Sequence, residues 1–393
     1  MISDVYFPRI NGVSTSIHSF RSGLIAEGHR VTLICPAYPE AQTLERANDN
    51  QDDDDIIRIR ARSVILDPED RMMNYREVIQ LIPRLEPLGL DLVHIHTPFV
   101  AHYAGLKIAH ELDIPVTESY HTFFEEYLYN YIKWLPKPWL KFMARRFSKS
   151  QCNSVDALIV PSSPMRDALS EYGITTPMHI LPTGLDLDQF RTPPVTDFRA
   201  HLGVSPESPL LLYVGRVALE KNIDFLIDMI PSVLARHPEA ILVIAGEGPA
   251  EHHLRRRVRS MALEKSILFV GYMRRDGSLQ DAYRAADLFV FASRTETQGL
   301  VLLEALALGT PVVALGAMGT LDVLNSEGGC LIAPDHPGGF ASVINATLDT
   351  PQRIEQLAQQ ATRYAATWSA DQKTALLVDR YIDLVTEKRQ SSC

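Results

Sequence analysis

The sequence has few cysteines, no long apolar run and no excess of positive charge. Its four cysteines among 393 residues show neither paired nor zinc-like spacing, which argues for a reducing compartment and against a metal site. The lack of an 18-residue apolar run argues against a membrane-spanning helix. The net charge of −10 argues against a nucleic-acid partner, because phosphate contacts need clustered lysine and arginine. We therefore expect a cytoplasmic protein.

Length and pattern predict two globular domains. A chain of 393 residues with 46% hydrophobic and 22% charged residues is too long for one ordinary core, and domains of about 150–200 residues are expected. Apolar runs typical of buried strands alternate with helical patterns, which predicts an α/β fold with parallel sheets. A stretch rich in proline, threonine and aspartate at 183–208 marks the boundary. We expect domains at 1–185 and 186–365 and a helical tail at 366–393.

Two glutamates flank the start of a predicted helix in the second domain. An apolar strand at 287–292 precedes Glu296, and a helical run that begins after Gly299 carries Glu304. In such a strand–loop–helix unit, free N–H groups at the helix start face the ligand crevice. We expect a diphosphate to be cradled there by Gly299, Leu300 and Val301.

The spacing of the two glutamates predicts different partners. Eight residues along a helix correspond to about 800° of rotation, so the carboxylates would not share one helix face. We expect Glu296 in the loop, where it reaches the uncharged hydroxyls of a ligand, and Glu304 inside the helix, where it reaches a second group such as a ribose diol. By spacing alone, unrelated surface charges are the more common explanation, but the strand–loop–helix context favours a functional role.

Arg216 and Lys221 follow the first apolar run of the second domain, at 210–215. Cations at this position reach a diphosphate across the crevice, where they stabilise the charge that builds on a leaving phosphate. A solvated arginine and lysine would be the ordinary explanation of such a pair. Together with the glutamates, they predict a site for a leaving diphosphate.

These segments resemble a known enzyme family. Glu296 and Glu304 are similar to the paired-glutamate signature of the retaining glycosyltransferases of family 4, which use nucleotide sugars. Residues 215–222 resemble the phosphate-binding segment of that family, residues 181–186 its interdomain turn and residues 8–14 its N-terminal glycine loop. The resemblance implies the α/β GT-B fold, in which two Rossmann-like domains face a central cleft and a C-terminal helix crosses back to the first domain.

The resemblance also implies a donor site and a reaction. Gly12 would let the backbone of the first domain approach the donor, and the base would lie near Met273. The expected donor-binding residues are Gly12, Arg216, Lys221, Met273, Glu296, Thr297, Gly299, Leu300, Val301 and Glu304. The reaction would retain the anomeric configuration by front-face attack. Arg216, Lys221 and the helix dipole would take the place of a metal, so neither a metal nor another cofactor is expected.

His121 follows a predicted strand at 114–118 and is the best candidate of the first domain. A lone histidine beside aromatic residues is usually a packed or capping residue. The resemblance favours a role, because a histidine at this place in the family touches the donor sugar. The expected catalytic residues are thus His121, Glu296, Arg216 and Lys221. His94 and His96 alternate on one strand face without a third compatible metal ligand, so we interpret both as structural.

Residues 131–150 contrast with the acidic chain, because they carry six basic residues and no acid. A helix from Pro138 would have a basic side and a broad apolar side, the latter formed by Trp139, Leu140, Phe142, Met143 and Phe147. Basic residues with tryptophan suit an anionic bilayer interface, whereas an ordinary domain helix would bury its apolar side. The stretch resembles the membrane-facing region of diacylglycerol glucosyltransferases, which favours membrane binding through Trp134, Lys137, Trp139, Lys141 and Arg145.

The sequence therefore predicts a glycosyltransferase that is cytoplasmic and peripheral on the inner face of the cell membrane. It would move a hexose from a UDP-hexose or GDP-mannose to a lipid hydroxyl, such as that of diacylglycerol. Its expected partners are a nucleotide sugar donor, a lipid or glycan acceptor and an anionic membrane surface, and no nucleic acid.

Four alternatives stay open at this point. One is a nucleotide-sugar epimerase of the same fold, and another is a glycosyltransferase acting on a soluble or polysaccharide acceptor. A third is a non-catalytic nucleotide-sugar binding protein. A dehydrogenase is the weakest, because Glu251 stands where the dinucleotide fingerprint beginning at Gly246 needs its third glycine.

Overall fold

The computed structural model describes residues 1–38, 55–63, 71–121 and 137–391. The chain forms two compact units. The first comprises Met1–Gly184 with Ala370–Cys393, and the second comprises Leu185–Ser369. None of the helices in the described part of the chain combines the length and apolar character that crossing a bilayer requires.

The first unit contains two sets of parallel strands, which Ile2 connects. Ile2 bridges both Ile34 and Ile95 and thereby joins the pair β2-β1 to the four-stranded order β5-β6-β7-β8. A separate antiparallel pair, β3 with β4, was not predicted. The strands are β1 (Leu33–Pro36), β2 (Ile56–Ile59), β3 (Ala61–Ser63), β4 (Arg71–Met73), β5 (Val93–Ile95), β6 (Val116–Ser119), β7 (Ala157–Val160) and β8 (Met178–Ile180).

The second unit has one six-stranded parallel sheet in the order β11-β10-β9-β12-β13-β14. Strands β9, β12 and β13 are buried at every position, as continuous apolar runs in a parallel sheet should be. The strands are β9 (Leu210–Val214), β10 (Ile241–Ala245), β11 (Ile267–Gly271), β12 (Leu288–Phe291), β13 (Val312–Ala314) and β14 (Cys330–Ile332).

The helices are numbered along the chain. They are α1 (Gly12–Ala26), α2 (Tyr75–Ile79), α3 (Ile82–Leu85), α4 (Val100–Leu112), α5 (Lys137–Cys152), α6 (Ser163–Glu171), α7 (Phe198–Leu202), α8 (Ile223–Leu234), α9 (Glu251–Ser260), α10 (Ser278–Ala285), α11 (Leu300–Ala307), α12 (Thr320–Val323), α13 (Pro337–Leu348), α14 (Pro351–Ala365) and α15 (Ala370–Ser391). Short 3₁₀ turns occur at Glu86–Leu88, Leu187–Phe190, Leu219–Lys221 and Ala366–Trp368.

Helix α15 returns to the first unit, as the resemblance implied. Its residue Leu377 is fully buried in a cluster with Phe20 and Leu24 of α1. Helix α1 itself starts at a capping box, in which the Asn11 side chain accepts from the Ser14 N–H and the Ser14 hydroxyl accepts from the Asn11 N–H. This reciprocal cap fixes where the predicted glycine loop ends and the helix begins.

Candidate functional site

The candidate site of the second unit lies where the strand order of its sheet reverses. In chain order the six strands read 3-2-1-4-5-6, and the reversal falls between β9 and β12. Ligands of such sheets bind outside the carboxyl ends of the strands at this point. The loop after β9 holds Arg216 and Lys221, and the loop after β12 holds Glu296, so the topology brings the predicted cations and carboxylate to one edge.

Lys221 and Glu296 form an ion pair, although 75 residues separate them. The Lys221 ammonium lies 2.5 Å from the Glu296 Oε1 atom, and both side chains are largely buried. The neighbouring Asn222 side chain donates to the Ala292 carbonyl at 2.9 Å, which ties the β9 loop to the end of β12. The sequence placed each residue in its loop but gave no sign of this direct pairing.

Arg216 is held in the same loop through its backbone and its side chain. The hydroxyl of the buried Tyr213 donates to the Arg216 carbonyl at 3.2 Å. The guanidinium Nη1 atom is 3.9 Å from the Glu220 Oε1 atom, and a quarter of the side chain is exposed. A cation that is fixed but still accessible is suited to stabilise charge on a ligand.

Helix α11 begins immediately after the Glu296 loop. Gly299 caps it with φ of 91°, a left-handed conformation that favours glycine. The first N–H groups of a helix have no intrahelical acceptor, so Leu300 and Val301, both half-buried, fit the predicted cradle. The Gly319 N–H donates to the Glu296 carbonyl at 2.8 Å and holds the loop against the next connection.

Glu304 is the fifth residue of α11, and its side chain is 2% exposed. Its Oε1 atom accepts from the Arg275 guanidinium at 2.7 Å, and its Oε2 atom accepts from the Tyr283 hydroxyl at 2.9 Å. The Glu304 carboxylate raises the pKa of Arg275 above its ordinary value. A carboxylate offers about four lone-pair sites, so the two contacts leave capacity for a diol. The predicted base neighbour Met273 is half-buried in the loop that carries Arg275.

In the first unit, His121 belongs to a group of three neighbouring imidazoles, which we call the histidine cluster (His94, His96 and His121). The His96 Nδ1 atom lies 3.2 Å from the His121 Nε2 atom, and the rings of His94 and His96 have centroids 3.9 Å apart. His94 Nδ1 contacts the Tyr381 hydroxyl at 2.5 Å, and His94 Nε2 contacts the Ser119 hydroxyl at 2.8 Å.

Burial sets the charge of the histidine cluster. It lowers the pKa of His121 to about 4 and lowers the pKa of His94 and of His96 well below the ordinary histidine value. All three rings are therefore neutral near pH 7. The interpretation of His96 as a purely structural residue missed its contact with His121. The sequence did offer a signal for this contact: the two histidines follow β5 and β6, and neighbouring parallel strands have their carboxyl ends at one edge of the sheet.

Two other expectations concern Gly12 and metal binding. Gly12 is exposed, and a Cβ atom there would meet no atom within 4 Å, so packing within the unit does not require glycine at this position. Among the described residues, no group of three or more histidines, cysteines or carboxylates is arranged to hold a metal ion. Cys35, Cys152 and Cys330 are buried free thiols.

Helix α5 exposes most of the side that the sequence predicted to be apolar. Trp139 is 51% exposed and Phe142 is 60% exposed, whereas Leu140 is buried. The expectation that Leu140 shares their side was wrong, because it points with Ala144 into the unit. The other exposed apolar members are Met143 and Phe147.

The basic residues predicted to bind membrane lie on or beside this exposed surface. Arg145 is exposed and its guanidinium lies 5.0 Å from the centroid of the Tyr172 ring, while Lys141 is half-buried. Trp134 lies outside the described residues, and so does the side chain of Lys137. For α5 the structure thus shows an exposed aromatic side with basic neighbours.

Comparison with known proteins identifies the family of the chain. Residues 10–189 match the family model described as Glycosyltransferase Family 4, and residues 195–366 match Glycosyl transferases group 1. The Alpha-monoglucosyldiacylglycerol synthase of Streptococcus pneumoniae is 33% identical over 323 residues, which cover 80% of this chain and 70% of that protein. The synthase of the same name from Acholeplasma laidlawii is 28% identical and is covered to 79%, again over 80% of this chain.

Solved structures show the same fold. The structure of Anabaena Alr3699/HepE in complex with UDP-glucose has a TM-score of 0.76 at 16% identity, covering 98% of this chain and 99% of that chain. This likeness confirms the GT-B fold expected from the sequence. Given the relative at 33% identity and the two domain matches, the chain belongs to glycosyltransferase family 4.

Proposed function

We propose that the protein transfers a hexose from a UDP-hexose or GDP-mannose to a lipid hydroxyl, that of diacylglycerol, with retention of the anomeric configuration. The observation that carries the donor half is the Lys221–Glu296 pair at the strand reversal. The acceptor half is supported by the two relatives named as monoglucosyldiacylglycerol synthases and by the exposed side of α5.

The ion pair suggests how a donor would be received. A diphosphate carries more negative charge than one carboxylate, so it would draw the Lys221 ammonium toward itself. Glu296 would then be free to accept hydrogen bonds from the uncharged hydroxyls of the sugar. Glu304, whose carboxylate is already oriented by Arg275 and Tyr283, would accept from the ribose diol.

The chemistry follows from fixed positive charge beside the leaving group. The bond between the anomeric carbon and the diphosphate oxygen would break, and the acceptor oxygen would bond to the same face of that carbon. The acceptor proton would pass to the departing phosphate. Arg216, Lys221 and the start of α11 would stabilise the charge that develops on this phosphate, because such groups act more strongly on the transition state than on the ground state.

His121 is proposed to contact the transferred sugar, on the resemblance to the family. Its ring is neutral near pH 7, because burial lowers its pKa to about 4. A neutral imidazole offers one N–H donor and one acceptor nitrogen. Such a ring can bond a sugar oxygen without adding a positive charge to those of Arg216 and Lys221.

The exposed side of α5 is proposed to bind an anionic bilayer. A helix that buries Leu140 and Ala144 yet exposes Trp139 and Phe142 has two apolar sides, and only one of them packs within the described protein. The helix carries five basic residues and no acid, which complements an anionic surface. Aromatic side chains with basic neighbours are typical of helices that lie in the membrane interface.

A donor and acceptor panel tests the proposed reaction. Purified protein would be incubated with radiolabelled UDP-glucose, UDP-galactose or GDP-mannose, with and without dioleoylglycerol in phosphatidylglycerol vesicles. We expect a solvent-extractable glycolipid that requires the acceptor, with the anomeric configuration of the donor in its NMR spectrum. Interconversion of the sugar without lipid would instead identify an epimerase, and nucleotide binding without turnover would identify a binding protein.

Vesicle sedimentation tests the membrane half. Changing Lys137, Lys141 and Arg145 together to Gln should weaken binding to phosphatidylglycerol vesicles by over 10²-fold, because each basic residue near an anionic surface contributes about 1 kcal/mol. The matched control changes three exposed basic residues of the second unit, Arg256, Arg259 and Lys265, and should bind like the wild type. Equal losses in both triple variants, or binding to neutral vesicles, would contradict a specific role of α5.

A further inference from the structure

One contact that the proposed function leaves unassigned joins His96 to His121. His96 follows β5 and His121 lies just beyond β6, and the two strands pair in parallel with Ile95 opposite Glu118. Their carboxyl ends therefore share one edge of the sheet. There the His96 Nδ1 and His121 Nε2 atoms are 3.2 Å apart, and the planes of the rings differ by 14°.

His96 is held in place from its other side. The ring of His94 lies against it with centroids 3.9 Å apart. Both nitrogens of His94 are bonded, one to the Tyr381 hydroxyl of α15 and the other to the Ser119 hydroxyl. His94 therefore cannot turn without breaking two hydrogen bonds, and it gives the His96 ring a fixed backing.

The second nitrogen of His96 indicates where its proton lies. The Nε2 atom is buried and has no hydrogen-bond partner among the described residues. A neutral imidazole has one N–H donor and one acceptor nitrogen. Orphaned buried N–H groups are rarer than buried acceptors that lack a bond, so the arrangement that leaves only an acceptor unpaired is favoured. His96 then carries its proton on Nδ1 and donates it to His121 Nε2.

This bond decides the tautomer of His121. A neutral His121 that accepts at Nε2 must carry its own proton on Nδ1, because the partner of one ring nitrogen fixes the state of the other. Burial lowers the pKa of both rings, as described above, so neither ring gains a second proton near neutral pH.

We propose that His96 is a positioning residue for His121, which it holds in the tautomer that carries its proton on Nδ1. His121 then offers an N–H donor to an oxygen of the transferred hexose. The hydrogen bond from His121 to the hexose rests on the proposed function, which places His121 at the sugar, whereas the assignment of the tautomer does not. His96 acts only through His121 and does not contact the substrate.

Nitrogen NMR tests the tautomer without any substrate. In protein labelled with ¹⁵N at histidine, the signals of His121 are those that disappear in His121→Gln. We expect Nδ1 to be the protonated nitrogen of His121 in the wild type. In His96→Leu, which removes the donor and keeps an apolar side chain in the site, Nε2 should become protonated, as it is in most free neutral imidazoles. A wild-type His121 with its proton on Nε2 would overturn the proposal.

Kinetics test the effect on the reaction, with two amides that differ by one methylene group. In His96→Asn the side-chain amide reaches the place of Nδ1 and can still donate to His121, whereas in His96→Gln it reaches the place of Nε2. We expect His96→Gln to lower kcat about 10-fold, the scale of one lost hydrogen bond. His96→Asn should stay within about threefold of the wild type, which corresponds to a fraction of that bond.

Two controls separate this inference from the proposed function. Calorimetric titration with UDP or GDP, whichever the wild type binds, should give the same Kd for both amide variants, and their Tm values should be alike, because a general structural defect would move either quantity. Equal loss of kcat in the Asn and Gln variants would overturn the positioning role. If the wild type transfers no sugar to dioleoylglycerol from UDP-glucose, UDP-galactose or GDP-mannose, the proposed function fails, and the NMR result alone decides the tautomer.

Discussion

Removing the Arg275 guanidinium should destabilise the second unit through Glu304. The Glu304 carboxylate is 2% exposed and has two partners, Arg275 at 2.7 Å and the Tyr283 hydroxyl at 2.9 Å. The substitution Arg275→Met keeps much of the length of the side chain and removes its charge. Glu304 would then be a buried anion with one neutral partner, which is unfavourable because a charge inside a protein needs a counterion.

The size of the effect follows from the burial of the two groups. Removing one partner of a fully buried ion pair costs about 3–5 kcal/mol. The Arg275 side chain is 24% exposed, so water already weakens the ion pair in the wild type, and we expect its removal to cost about 2–3 kcal/mol. For a domain of this size, 1 kcal/mol shifts Tm by about 2–4 °C, so Tm should fall by roughly 5–10 °C.

Differential scanning calorimetry at pH 7 measures this change, and the chain offers a matched control. Arg274 is exposed and precedes Arg275 in the same loop, so Arg274→Met should change stability by no more than about 0.5 kcal/mol. In Arg275→Met combined with Glu304→Gln, part of the stability should return, because the buried carboxylate is no longer charged. Equal Tm values for the Arg274 and Arg275 variants would refute the ion pair as a stabilising contact.

Three further predictions concern turnover, packing and pH. Lys221→Ala should lower turnover about 10²-fold, the effect of losing one fixed charge stabiliser, whereas the exposed Lys265 can be changed to Ala without effect; steady-state kinetics distinguish the two. Gly319→Ala should lower both Tm and turnover, because a Cβ atom there would lie 1.9 Å from the carbonyl oxygen of Thr297, next to Glu296; an alanine variant that matches the wild type would contradict this packing. The stability that neutral His121 contributes is present above pH 6.5 and is lost as the pH falls toward its lowered pKa of about 4. Asp4 acts in the opposite sense: burial raises its pKa to about 6, so its contribution to the free energy of unfolding increases as the pH falls. Urea unfolding at pH 7 and pH 5 should show that His121→Gln flattens this dependence by up to about 1.4 kcal/mol per pH unit, and an unchanged slope would argue against a neutral His121 ring in the folded protein.

Much of the second unit could be predicted from local pattern. The run at 287–292 became β12, and the helix predicted at 300–308 became α11. Both predictions succeeded because a buried parallel strand is a continuous apolar run and a helix start after glycine has a recognisable signature. The antiparallel pair of β3 and β4 was missed, since two three-residue strands are too short to establish a periodicity.

Side-chain partners were harder to predict than elements. The pairs Lys221–Glu296 and Arg275–Glu304 join residues 75 and 29 positions apart, and which charge meets which depends on strand order and rotamers that no local pattern encodes. The same limit applies to α5, where the sequence predicted the helix and its apolar residues but could not assign Leu140 to the buried side and Trp139 to the exposed side.

The division of labour between Glu296 and Glu304 is the central claim about the site, and calorimetric titration with UDP and GDP tests it most directly. Whichever nucleotide binds the wild type should bind Glu304→Ala at least about 10-fold more weakly, because the ribose diol loses its acceptor. Glu296→Ala should bind that nucleotide like the wild type and yet fail to transfer sugar, because its partner is the hexose. Equal nucleotide affinity in the two variants would contradict the assignment of the ribose to Glu304 and of the sugar to Glu296.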